Sequence, residues 1–240
     1  MAILIPLVCG IPFGPSHVLI ALFGFAGFLG STWEEWHTGV LYLGIVSGPT
    51  EGAWSICIIS LLSGIFGSTE IWTRPWFELP GIGAVSLNLV VLYVFLIGVL
   101  GTIRTSCLHV WRKSGFKAFG HLAWPFFYFS QCWLLTRLVP ELLESQRQFF
   151  WFVFFSGLPT CFRVSLTIVA YVTKSKLPSP NLLECFPIAL NILAFSGRSV
   201  LPLMKVMTLI SLLAYAVVIN LVVGDLCRFL DIYCLTIKRK

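Results

Sequence analysis

Long apolar runs separated by short polar connections dominate the chain. A helix needs roughly 20 predominantly apolar residues, within about 17–25, to cross a bilayer. Seven stretches are candidates: 16–37, 49–67, 86–108, 121–139, 147–172, 183–197 and 200–223. The sixth is short and carries Pro187. Gly and Pro inside such runs do not exclude spanning, because neighbouring helices satisfy the freed backbone groups. No alternating pattern of the kind that builds a membrane barrel is present. There is no internal repeat and no hydrophilic linker of domain size. The expectation is therefore an all-α fold: a polytopic membrane helix bundle of about seven transmembrane helices, with residues 1–240 forming a single membrane-embedded unit.

Composition supports the bilayer as solvent. Charged residues are 11% of 240 and hydrophobic residues 58%, against about 25% charged in a soluble domain. The 21 Phe and 9 Trp exclude a disordered chain. The eight Cys are scattered, with no C-x-x-C pair and no metal-ligand spacing, and read as small buried hydrophobes. Residues 1–15 contain Pro6, Pro12 and Pro15 and lack a basic start, so they do not read as a signal peptide. The net charge of +6 is a matter of orientation rather than of nucleic-acid binding. Segments 38–48, 109–120, 173–182 and the tail collect Arg112, Lys113, Lys117, Lys174, Lys176, Arg228, Lys238, Arg239 and Lys240. The opposite set (1–15, 68–85, 140–146 and 198–199) has Arg74 and Arg198, with Arg147 at its edge. The positive-inside rule then places the C-terminus and the 38–48 segment in the cytoplasm.

Chemistry in such a chain concentrates where carboxylates approach the apolar runs, because a mid-membrane acid costs about 2.5–3.5 kcal/mol. Glu51 follows Ser47-Gly48-Pro49-Thr50 and falls in the first turn of the second apolar segment. It is either an N-terminal acid complementing the helix dipole or a carboxylate in a semi-apolar cleft, suited to take a proton from a hydroxyl. The stretch Ser31-Thr32-Trp33-Glu34-Glu35-Trp36-His37-Thr38-Gly39 lies at the same membrane face. An aromatic belt explains it equally well, yet two acids, an imidazole and Glu51 within twenty residues would also form a polar active-site mouth. Arg163 is deep in an apolar run, where an arginine faces a bundle interior or a polar cavity. A phosphate or a carboxylate such as Glu51 would serve as its partner. His17, His109 and His121 sit at segment ends without metal-binding spacing. Gly24 and Gly27, with Ala26 and Gly30 nearby, read as close helix packing.

Residues 31–52, STWEEWHTGVLYLGIVSGPTEG, closely resemble a segment of the fungal choline/ethanolamine phosphotransferases, in the CDP-alcohol phosphotransferase family. That segment reads approximately S-T-W-E-E-Y-H-T-G-x-L-x-L, then S-G-P-x-E-G, with Trp36 here in place of Tyr. Val169-Ala170-Tyr171-Val172-Thr173-Lys174 and Leu230-Asp231-Ile232-Tyr233-Cys234-Leu235-Thr236-Ile237-Lys238 are similar too. The resemblance implies an enzyme of ten spanning helices, dimeric, in endoplasmic reticulum or Golgi membranes. It would transfer phosphocholine or phosphoethanolamine from CDP-choline or CDP-ethanolamine to the hydroxyl of diacylglycerol, and no nucleic acid is involved. It also implies that Glu51 lies near that hydroxyl as a base or proton relay. Trp33, Glu34, Glu35, His37, Gly48 and Arg163 would stand close to the substrates.

The family's metal motif, D-G-x-x-A-R, eight residues, G, three residues, D, three residues, D, does not occur in these 240 residues. The only Asp residues are Asp225 and Asp231. The family's Mg2+ or Mn2+ therefore has no site in this chain, which reads as beginning just before the family's fourth helix. A pyrophosphate needs clamping charge for phosphoryl transfer, so the isolated chain is expected to be inactive. The alternative is a non-catalytic membrane protein of the same descent that binds lipid or pairs with a full-length relative. A small transporter would need polar residues along several helices, which are too few here.

Overall fold

The computed structural model describes residues 8–11, 14–42, 49–67, 70–79 and 83–231. The described residues include seven helices of ten residues or more, at the positions of the seven apolar runs: α1 (Pro15–Thr38), α2 (Pro49–Phe66), α3 (Leu87–Ser114), α4 (Gly120–Leu138), α5 (Gln146–Val172), α6 (Phe186–Phe195) and α7 (Leu201–Leu230). By length and composition α1, α3, α5 and α7 can each cross a membrane. The ten residues of α6 rise about 15 Å, half of the roughly 30 Å hydrocarbon core. The short turn Leu182–Cys185 leads into it.

Two helices outrun their apolar segments. α3 continues through His109-Val110-Trp111-Arg112-Lys113, where a connecting loop is expected. Its last-turn cations complement the carboxyl-terminal dipole, and Gly115, with φ 70°, ends it. α7 likewise runs to Leu230 before Asp231 adopts the left-handed conformation. The all-α bundle fits the structure, with one short strand pair added to it. Pro75–Leu79 (β1) and Gly83–Ser86 (β2) pair antiparallel, with Phe77 opposite Val85 and Leu79 opposite Gly83. Pro80, Gly81 and Gly83 punctuate a run too short for a helix.

α1 is the axis of the bundle, packed against α3, α4 and α5, while α5 also meets α7 and α4 meets α6. The main core joins Val18, Ala21 and Leu22 of α1 to Cys132 and Leu135 of α4, and to Phe149, Phe152 and Phe155 of α5. Small residues let the helices approach. A Cβ on Gly157 would lie 2.9 Å from the Phe25 ring, and one on Gly27 3.1 Å from Val99. α7 is the opposite case, with Leu213 and Leu221 exposed, as suits a helix whose solvent is lipid. Cys9 and Cys132 are buried as expected, but Cys57 and Cys161 are exposed.

Candidate functional site

The end of α1 is where polar groups gather. Glu34 is fully buried there, and an unpaired carboxylate in that position would be strongly unfavourable. Its Oε1 lies 2.5 Å from Nδ1 of His109 on α3. The ring of Tyr42 packs beside His109, centroids 4.6 Å apart. Nδ1 is thus committed to Glu34, and Nε2 is the ring's other nitrogen. One turn later Lys113 Nζ donates to the carbonyl of Thr38 at 2.6 Å, capping α1. Gly39 closes that helix with φ 76°, a conformation that favours glycine.

His37 lies next to this pair. Its ring is 5.7 Å from that of His121 on α4, 5.3 Å from Trp33 and 4.8 Å from Trp36. Trp36 Nε1 donates to Ser175 O at 3.3 Å, and the Tyr171 hydroxyl to Gly39 O at 3.0 Å. Thus the ends of α1, α3 and α5 and the start of α4 form one face, the one where 38–48, 109–120 and 173–182 were expected together. Four buried polar atoms at this end have no hydrogen-bond partner: Trp33 Nε1, Glu34 Oε2, His37 Nε2 and Ser106 Oγ. Buried polar atoms are normally satisfied, so these four are the exceptions at this end of the bundle.

Of the expected site residues, the structure brings Trp33, Glu34 and His37 together, and Glu35 is half-buried on the same turn. Gly48 lies outside the described residues. Glu51 occupies the first turn of α2, as expected, but its side chain too lies outside them. Arg163 is buried elsewhere. Its Nε and Nη2 each donate at 2.6 Å to Glu184, one oxygen apiece. Asn181 Nδ2 donates to the same carboxylate at 2.8 Å, and Trp124 Nε1 completes the set. The partner left open between a phosphate and a carboxylate is thus a carboxylate, Glu184. The sequence reading missed Glu184, Ser106 and the role of His109. Asn181-x-x-Glu184, a capping residue three before an acid at an apolar helix, was the available signal.

Among the described residues no group of three or more His, Cys, Asp or Glu side chains could hold a metal. Glu34 and His109 are already engaged with each other, and no chemical step is assigned to a metal in this chain.

No protein-family model matches the chain. It is 26% identical to choline/ethanolaminephosphotransferase 1 of Saccharomyces cerevisiae, over 96% of this chain and 64% of that protein. It is 26% identical to cholinephosphotransferase 1 of the same yeast, over 87% of this chain and 59% of that protein. An uncharacterized CDP-alcohol phosphatidyltransferase class-I family protein of Dictyostelium discoideum is 51% identical, over 17% of this chain and 10% of its own length. The chain therefore spans about three fifths of the length of the yeast relatives it matches. Its apolar helices and these relatives make it an integral membrane protein. Along nearly its whole length the chain is similar to the yeast enzymes, which bears out the resemblance of residues 31–52 to the CDP-alcohol phosphotransferases of fungal choline/ethanolamine type.

Proposed function

We propose that the chain forms the acceptor-side wall of an aminoalcohol phosphotransferase. The reaction would move phosphocholine or phosphoethanolamine from a CDP-alcohol to the hydroxyl of diacylglycerol in phospholipid synthesis. The observation that carries this reading is the buried Glu34–His109 pair, set beside unpartnered polar atoms in a chain similar to phosphotransferases nearly end to end. A carboxylate that orients an imidazole is a usual way to hold a proton acceptor in place. In this reading Glu51 stands at the acceptor hydroxyl as base or relay, and the mouth opens to the cytosol. The bundle sits in an endoplasmic reticulum or Golgi membrane with α6 reaching only part of the way across, the C-terminus is cytoplasmic, and the assembly is a homodimer. Taken alone, these 240 residues do not turn over substrate.

The test is a chimera in which this chain is joined to the part of the S. cerevisiae relative that it does not match. With CDP-choline, diacylglycerol and Mg2+, Glu51→Gln should lower CMP release at least a hundredfold, within the range of a lost general base. Unchanged release in that variant would remove Glu51 from the reaction. The alternative is a non-catalytic lipid-binding or dimer-partner protein of the same descent. Under it every such chimera stays inactive.

A further inference from the structure

Residues 175–181, between α5 and the short turn before α6, have no regular structure, yet they run at membrane depth. The depth follows from α5. Its 27 residues rise about 40 Å. A hydrocarbon core of roughly 30 Å therefore leaves about 10 Å of α5 outside it in total. Arg163 lies nine residues before Val172, where α5 ends, about 13.5 Å along the axis. With the whole surplus at that end, the Arg163 backbone is still about 3 Å inside the core. Its Cα–Cβ bond points further in, toward the helix start, and any tilt of α5 deepens it.

Hydrogen bonds tie the irregular segment to this level. Pro178 O accepts from Arg163 Nη1 at 3.4 Å. Asn181 Nδ2 donates at 2.8 Å to Glu184, the carboxylate that holds Arg163 at 2.6 Å. The helix that follows does not fill the remaining depth, because α6 and the turn before it rise together only about 23 Å. Irregular backbone at membrane depth is tolerated where protein buries it or where it lines a water-filled cavity. Here Ser179 and Pro180 are exposed. Among the described residues the backbone N–H groups of Ser179 and Asn181 make no hydrogen bond. Lipid tails offer such groups no partner.

We propose that water enters the bundle from the side of Val172, filling a notch along residues 177–181 that reaches the Arg163–Glu184 pair. Leu177, packed with Trp33, Val110 and Leu122, walls the notch off from the mouth around Glu34 and His109. The notch is thus a second polar entrance, open to water and small hydrophilic solutes. Exposed Lys174 and Lys176 precede it and favour anionic solutes. Water on one side also lowers the cost of keeping an ion pair charged inside the bilayer. The proposal rests on α5 crossing the membrane and not on phosphoryl transfer.

Cys161, two residues before Arg163 on α5, is exposed at nearly the same depth and serves as the lipid-facing reference. The 240-residue chain carrying Ser179→Cys, in phosphatidylcholine nanodiscs, is treated with an anionic, membrane-impermeant methanethiosulfonate. Mass spectrometry quantifies each labelled peptide against the fully labelled denatured chain. Ser179→Cys should react at least about tenfold faster than Cys161, since placing a charge in hydrocarbon is disfavoured by more than that. Reaction of Ser179→Cys as slow as that of Cys161 means that lipid or another chain covers the segment, and overturns the proposal. Equally fast reaction at both sites places the Arg163 level outside the hydrocarbon, and overturns it too. Pro180→Cys supplies the same comparison if Ser179→Cys fails to fold.

Discussion

Glu34 and His109 are 75 residues apart in the chain and 2.5 Å apart in the fold. The bond fastens the end of α1 to α3 where both helices reach the polar face. Glu34 is fully enclosed, while the His109 side chain is about one-third exposed, at 36%. One partner is thus sheltered and the other is presented.

That asymmetry predicts unequal consequences. His109→Ala strands a buried carboxylate and should destabilise the chain by about 3 kcal/mol, the low end for a broken buried pair. Glu34→Gln keeps a hydrogen-bond acceptor and should cost less than half as much. Thermal unfolding of the detergent-solubilised chain, with the double variant to close a cycle, reads both. An additive cycle would mean that the two residues do not interact.

Arg163 and Glu184 form a second buried pair, independent of the mouth. Arg163→Ala should cost about 3–5 kcal/mol by leaving Glu184 uncompensated. Arg163→Met combined with Glu184→Met should recover most of that loss, since apolar replacements of buried pairs are often neutral. If the double variant is as unstable as the single one, the pair is more than a stabilising contact.

The approach of α1 to α5 at Gly157 yields a packing prediction. Gly157→Val must push against the Phe25 ring and should destabilise by about 1–3 kcal/mol, as overpacking does. Gly224→Ala, which meets nothing within 4 Å, should be neutral or slightly stabilising. Equal melting temperatures for the two variants would contradict the described α1–α5 contact.

Much of the architecture was legible because apolar run length reports helices in lipid directly. α1, α2 and α5 fall within two residues of the expected boundaries. The extension of α3 to Ser114 was not legible, because Arg112 and Lys113 end the apolar run without ending the helix. The strand pair Pro75–Leu79 and Gly83–Ser86 was hidden because the strands are five and four residues long. At the site, Trp33, Glu34 and His37 could be grouped because they are neighbours in sequence. The partners His109 and Glu184 could not be assigned, because such pairing depends on helix rotation that weak amphipathicity does not encode. Arg163 shows the limit well: its depth announced a partner, and only the fold identified it.

The proposed function divides the labour, with the acceptor wall in this chain and the pyrophosphate-clamping groups outside it. The most direct measurement compares CMP release from CDP-choline, with diacylglycerol and Mg2+, by the purified 240-residue chain and by the same chain joined to the unmatched part of the yeast relative. The account predicts background release from the first and turnover from the second. Turnover by the chain alone would contradict it.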